Sequence, residues 1–458
     1  MKIKIYIVFV LMSSFAYSQS DSVQIRKIFD YHLTQSNSYE NLRFLCKKIG
    51  HRLSGSESAT KAVQWAKEKM EKAGADTVYL VACMVPRWKR GDKEICLLKS
   101  RKNGNPKKLS ICALGGSVPT KKGGVEASIL EIKSFSQLDS LREEDVKGKI
   151  VFFNVKFDDR PITTGQSYGS AVKYRYAGAS KAASKGAVAS ITRSMTHALN
   201  DSPHTGAMGY DTSVKVKIPA CAISTVSAEI LSDMIRKDPN ATVSLELNCE
   251  TLSDVESFSV VGEVKGNKFP NEIITIGGHL DSWDLGEGAH DDGAGVVQSI
   301  EQLAFFSKSE NRPSRTIRAI AFMNEENGTR GGRSYAEFCK TKNQKQIAAL
   351  ESDAGGFTPR GIGIDGGADT LNYFKKWQTL FNPYDITFRS GGGGADIGFL
   401  EPQGVLMCSF IPDSQRYFDY HHTKDDVFEV VNKRELELGA GSISAFVYLL
   451  DKYGFALK

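Results

Sequence analysis

From residue 255 onward the chain repeats one pattern: a short β-rich run, a loop, then a helix-forming stretch. Residues 272–276 predict a buried strand and 296–306 an amphipathic helix. Residues 316–322, 348–350 and 405–410 predict three further strands. Strands separated by helices cannot close as hairpins, and parallel neighbours need such crossovers. The alternation therefore predicts an α/β fold, with a mostly parallel central sheet flanked by helices on both faces. In sheets of this kind, ligands collect beyond the carboxyl ends of the strands.

Histidines and carboxylates fall at those ends. The first strand runs into Gly277-Gly278-His279-Leu280-Asp281, the second into Asn324-Glu325-Glu326-Asn327-Gly328. The third runs into Glu351-Ser352-Asp353-Ala354-Gly355-Gly356. Ala289-His290-Asp291-Asp292-Gly293 lies between the first strand and its helix, and Tyr420-His421-His422-Thr423 lies near the C-terminus. Glycine beside each candidate lets the backbone turn sharply. Imidazole nitrogens with carboxylate oxygens suit zinc, and open coordination positions make such a site catalytic rather than structural. His279, Asp291, Glu326, Asp353 and His422 are too many ligands for one tetrahedral catalytic zinc. They suit two zinc ions if one carboxylate bridges. Taken singly, each histidine would more often be structural and an EE pair would be solvated surface. Their joint occurrence at strand ends carries the reading.

HLDSWDLGEGAHDDGAG, NEENG, ESDAGG and YHHTKDD, in that order, resemble the co-catalytic zinc aminopeptidase and glutamate carboxypeptidase family. HRLSGS at 51–56, VPRWKRGDK at 85–93, SYGSAVKYR at 167–175, GAVASITRS at 186–194 and SPHTG at 202–206 are similar to its carboxypeptidase Q (plasma glutamate carboxypeptidase) branch. The similarity covers almost the whole mature chain. It implies a zinc-exopeptidase (phosphorylase/hydrolase-like) fold. Residues 19–114 would form the N-terminal part of the peptidase domain, 115–250 an inserted protease-associated α/β domain, and 251–458 the catalytic zinc peptidase domain. It further implies that Asp291 bridges two zinc ions, with His279 and Asp353 completing one site and Glu326 and His422 the other. Asp281 would orient the His279 imidazole, and Glu325 would be the general base. Adjacent side chains in extended backbone point apart, so Glu326 can hold metal while Glu325 faces the attacking water. The family joins its paired aspartates, here Asp291 and Asp292, by a cis peptide. Thr423 and Asp426 match the family's H-T-x-x-D at His422, which leaves His421 to line the pocket.

With 458 residues the chain is long enough for two or three domains. Hydrophobic residues at 41% and charged residues at 24% exclude a disordered or fibrous chain. The net charge of +6 is small and its basic residues are scattered, so nothing asks for nucleic acid. Lys2 and Lys4 precede an apolar run from Ile5 to Met12, and Ala16-Tyr17-Ser18 offers a small-x-small cleavage pattern. Residues 1–18 are expected to be a signal peptide. The mature chain would be exported, periplasmic or secreted, with no membrane association after cleavage. In an oxidising compartment the eight cysteines could form disulfides, and Cys83 and Cys96 flank a hairpin and could pair. Cys112, Cys221 and Cys408 sit in apolar runs and are expected to be buried thiols.

Several motifs are decoys. Gly165-Gln166-Ser167-Tyr168-Gly169 satisfies G-x-S-x-G, but Asp158-Asp159-Arg160-Pro161 cannot supply the strand that a nucleophile elbow needs. His290 is expected to be structural, as is His204; His32, His51 and His197 are expected at the surface. The branch resemblance implies hydrolysis of short peptides, dipeptides with free termini foremost, by a homodimer. A broad-specificity zinc aminopeptidase would share the same metal site. A one-zinc glutaminyl cyclase and a non-catalytic receptor-like relative are further alternatives, and the complete ligand set argues against both.

Overall fold

Seven consecutive residues, Ile273 to His279, are buried at the end of the strand Phe269–His279. A strand covered on both faces belongs at the centre of a sheet. The computed structural model, which describes residues 20–100, 102 and 104–455, places it there. The expected signal peptide, residues 1–18, lies outside the described residues. Among the described residues no helix is long and apolar enough to cross a membrane.

The main sheet has eight strands, in the order Thr77–Lys89, Glu250–Val264, Arg315–Phe322, Phe269–His279, Lys345–Glu351, Leu406–Pro412, Pro359–Ile364 and Thr387–Ser390. The Phe269–His279 strand runs parallel to both neighbours, and Lys345–Glu351 runs parallel to Leu406–Pro412. The expected parallel sheet is thus its centre. Thr77–Lys89 and Glu250–Val264 add antiparallel at one side, and Pro359–Ile364 pairs antiparallel with Leu406–Pro412 near the other.

Alternation along one strand shows both faces covered. Ile317, Ala319 and Ala321 join the larger core, which includes Val296, Val297, Ile300 and Phe446. Ile320 and Phe322 point the other way, into a cluster with Tyr335, Cys339 and Leu400. The helix Ala294–Phe306 packs on the larger-core face and Lys433–Tyr453 packs against it. The helix Glu57–Lys72 buries Ala59, Ala62, Val63, Ala66 and Met70, as its three- and four-residue spacing predicts.

A second eight-stranded sheet is built from residues 94–247, with a parallel centre of Val125–Ile132, Ile150–Phe153, Ala189–Arg193 and Ala220–Ile223. Helices Thr164–Ser184 and Thr225–Lys237 flank it. The two sheets are joined by side chains that cross. Trp283, from the loop after the central strand, is buried in the second sheet's core beside Trp88. Arg90 donates from Nε to Asp284 at 3.0 Å and from Nη1 to the Ala113 carbonyl at 2.6 Å. Its Nη2 donates to Thr205 Oγ1 at 3.0 Å.

The structure corrects two expectations. All eight cysteines are buried and unpaired, so Cys83 and Cys96 do not form a disulfide. Cys83 faces the main core and Cys96 the core of the second sheet, because Thr77–Lys89 and Glu94–Lys99 belong to different sheets and form no hairpin. His32 is not at the surface but fully buried, with Nε2 at 2.7 Å from Ser444 Oγ. Ser167 of the G-x-S-x-G motif sits in the helix Thr164–Ser184 and donates to the Asp158 carbonyl, so it is no nucleophile elbow.

The junction yields a prediction. A Cβ on Gly115 would lie 1.8 Å from the Trp283 ring, which cannot move without emptying its cavity. Gly115→Ala should destabilise the protein by about 1–3 kcal/mol, read from the denaturant midpoint. A midpoint equal to wild type would contradict this packing.

Candidate metal centre

The residues read from the sequence come together at the carboxyl ends of the central strands. His279 is the last residue of its strand. Its neighbour Gly278 leaves room for Asp292, whose Oδ2 would lie 2.5 Å from an added Cβ. Asp292 accepts the backbone N–H of His279 and of Gly295, each at 2.9 Å, and so ties the strand end to the following helix. The Asp291–Asp292 peptide is cis, and the two carboxylates point to different neighbours. Asp426 accepts the N–H groups of His290 and Asp291 at 2.8 and 3.1 Å. Burial pushes its carboxyl up to about 7.

Asp291 occupies the middle. Its Oδ1 is 3.2 Å from His279 Nε2, and its Oδ2 is 3.2 Å from His422 Nε2. Asp353 Oδ1 lies 3.4 Å from His279 Nε2, and Glu326 Oε2 lies 3.0 Å from His422 Nε2. The donor atoms therefore fall into two sets that share one carboxylate. His422 takes a left-handed backbone (φ 62°) and sets Nδ1 at 3.2 Å from the Thr205 carbonyl, which belongs to the second sheet's unit. His421 stacks on His422 with centroids 3.5 Å apart, and its Nε2 is 3.7 Å from Asp291 Oδ2. His290 is stacked on Phe357 at 4.0 Å and accepts from Gly356 N–H, a structural placement.

Asp281 acts differently from the expectation. The atom that meets His279 Nδ1, at 2.9 Å, is the Asp281 main-chain oxygen. The carboxylate instead accepts the backbone N–H of Asn324, Glu325 and Glu326 at 2.6, 3.1 and 3.4 Å. It holds the loop that carries both glutamates, and the strand before that loop is the neighbour of the His279 strand. Asn324 has φ 72°, which turns the chain there.

A model of peptidase family M28 matches residues 259–447. Carboxypeptidase Q of Mus musculus is 34% identical over 421 residues, covering 92% of this chain and 87% of the relative. The crystal structure of a peptidase M28 precursor from Shewanella amazonensis SB2B superposes with a TM-score of 0.91 at 32% identity, covering 96% of this chain and 99% of that one. The chain belongs to peptidase family M28. As a member of M28 it is a zinc metallopeptidase whose substrates are peptides. A zinc aminopeptidase from Bacillus subtilis, at 20% identity and a TM-score of 0.67, shares the fold over 93% of this chain.

The electrostatics of this M28 centre favour a divalent cation. Against burial, Glu326 and Asp291 raise His422 to about 10, and Asp353 and Asp291 raise His279 well above its ordinary value. Against burial, the two histidines hold Asp291 well below the usual carboxylate range. Carboxylates that pull positive charge onto imidazoles this strongly form a site that metal ions fit. Asp291 Oδ2 is buried with only the His421 and His422 rings within reach, an acceptor that a cation would satisfy. Burial, with Asp353 and Glu326 nearby, pushes Glu325 well above its ordinary value against the pull of His279.

Residues missed by sequence reading are those that act from a distance along the chain. Thr205 and Arg175 touch the centre from segments with no metal-ligand pattern, and Trp283 touches it from inside the His279–Asp291 segment without being a ligand type. Asp292 was legible only as the second half of an Asp-Asp pair.

The role of Asp281 is testable. Asp281→Ala leaves three N–H groups without their acceptor, two of them buried and each of those worth about 1–3 kcal/mol if unpaired. The variant should lose at least about 100-fold in kcat as the Glu325–Glu326 loop slackens, with Asp281→Asn recovering only part. Wild-type kcat in Asp281→Ala would show that the loop needs no such anchor.

Proposed function

We propose that the chain is an exported two-zinc exopeptidase that hydrolyses short peptides with free termini, dipeptides foremost. The shared carboxylate carries this reading: Asp291 offers Oδ1 to His279 and Oδ2 to His422, each at 3.2 Å. His279 and Asp353 would complete the first zinc site, Glu326 and His422 the second. A carboxylate with one oxygen toward each set is what a bridging ligand requires. When bound, the two ions supply Lewis acidity toward the peptide carbonyl and toward water.

Glu325 lines the same cleft but makes no ion pair with either histidine. Its carboxylate takes a proton from the attacking water and hands it to the leaving amine as the C–N bond breaks. Asp281 keeps Glu325 in place by holding its backbone N–H. Tyr168, Tyr417 and Phe418 wall a cleft of about 370 Å³. A space of that size, closed on one side by the second sheet's helix Thr164–Ser184, suits a very short peptide. The likeness to carboxypeptidase Q over 92% of the chain supports a free C-terminus as part of what is recognised. We read the second sheet's unit as the inserted protease-associated domain and the mature protein as a homodimer. N-terminal sequencing of the mature protein and sedimentation test the export and the dimer.

Two measurements decide the mechanism. Glu325→Gln should keep its zinc and lose about 10²–10⁴-fold in kcat; wild-type hydrolysis by this variant removes Glu325 from the role. Elemental analysis should find two zinc ions per wild-type chain, and Asp291→Ala should lose both. One zinc per wild-type chain overturns the two-ion reading. An M28 aminopeptidase would cleave C-amidated dipeptides as readily as free ones and reject N-blocked ones, which the same preparation can report.

A further inference from the structure

We propose that Arg175 binds the free C-terminal carboxylate of the substrate. The assignment rests on the reading above, that the substrate's C-terminus is free. Arg175 comes from the helix Thr164–Ser184 and lines the same cleft as Asp291, Glu325 and Asp353. Among the residues lining that cleft it is the one permanent cation.

Its surroundings leave it short of an anion. Arg175 is only 6% exposed, yet among the described residues no carboxylate pairs with it. Nη2 donates to the Tyr168 hydroxyl at 2.8 Å, Nη1 reaches the Thr205 carbonyl at 3.4 Å, and Nε has no partner. Other buried arginines are satisfied. Arg90 has Asp284 and Arg318 has Glu263, while Arg52 donates to the carbonyls of Gly50, Leu280, Glu287 and Gly288. A buried guanidinium without such partners is costly unless a ligand supplies the charge.

His422 is not that partner. Nη1 of Arg175 lies 3.2 Å from His422 Nδ1. A ring that gives Nε2 to a cation keeps its proton on Nδ1, which then donates to the Thr205 carbonyl and cannot accept from Arg175. The guanidinium and the imidazole share one acceptor, and the remaining N–H groups of Arg175 stay available.

A C-terminal residue spans about 3.5 Å of chain, so its carboxylate falls within one residue of the scissile bond. Arg175 lines the same cleft as Glu325 and Asp353, with Nη1 3.2 Å from the Nδ1 of His422. The guanidinium would bind the carboxylate on the leaving-amine side, where an amide terminus would lose the charge.

Kinetics on a free dipeptide and its C-terminal amide test the assignment, with zinc content measured in parallel. Wild type should prefer the acid in kcat/KM, mainly through KM. R175M should bring the acid-to-amide ratio close to one, a loss of about 10- to 100-fold, with zinc retained. R175K should fall between the two, because it keeps the charge and loses the fork. A wild-type ratio near one defeats the free-terminus reading, and this proposal with it. A large wild-type ratio that survives in R175M overturns the role of Arg175 alone and leaves that reading standing. Equal losses on acid and amide with a fall in zinc would make Arg175 a support for His422, which also overturns the proposal. If R175M does not fold, R175K decides: an acid-specific rise in KM supports the assignment, and an unchanged ratio refutes it.

Discussion

Asp291 sits between two histidines that belong to opposite ends of the catalytic half, and its position depends on a chain of backbone anchors. Asp426 holds its N–H, and Asp292 holds the strand end that presents His279. Asp281 holds the neighbouring loop that presents Glu325 and Glu326. Each anchor is a buried carboxylate accepting main-chain N–H groups, so geometry is set by backbone rather than by flexible side chains. Several carboxylates gathered out of water repel one another and would each prefer to be neutral. The arrangement is favourable only with positive charge in its midst, and the raised histidines show how strongly it draws that charge.

The parallel strands explain why this concentration occurs where it does. Strands running the same way end at one edge, and each loop leaving that edge delivers its first side chains to the same space. His279, Glu326 and Asp353 follow three adjacent strands. His422 arrives later, from beyond the fourth, on a left-handed turn.

The second sheet is part of the site rather than an appendage. Trp283 leaves the metal loop to be buried in that sheet's core, while Thr205 and Arg175 return from it to His422. Arg90 fastens the joint by holding Asp284 on one side and Thr205 and Ala113 on the other. Loosening the two units would therefore disturb a proposed ligand and the wall of the cleft together.

The strand–loop–helix alternation, the glycines at strand ends and the order of His279, Asp291, Glu326, Asp353 and His422 were legible in the sequence alone. Local periodicity and short motifs encode elements and the residues just after them, and the parallel sheet follows from the crossovers. Family membership was legible for the same reason, since its motifs are short and contiguous. What the tertiary structure decided are relations between distant segments. The main-chain oxygen of Asp281, rather than its carboxylate, meets His279, because the loop needed that carboxylate for three N–H groups. Cys83 and Cys96 are close in sequence yet face different cores, and His32 is buried under the C-terminal helix that carries Ser444. Arg175 closes the SYGSAVKYR segment, which marks a family branch but assigns the residue no role. Its meaning comes from the anions it lacks and the cleft it faces, and both are properties of packing that no local pattern in a chain can specify.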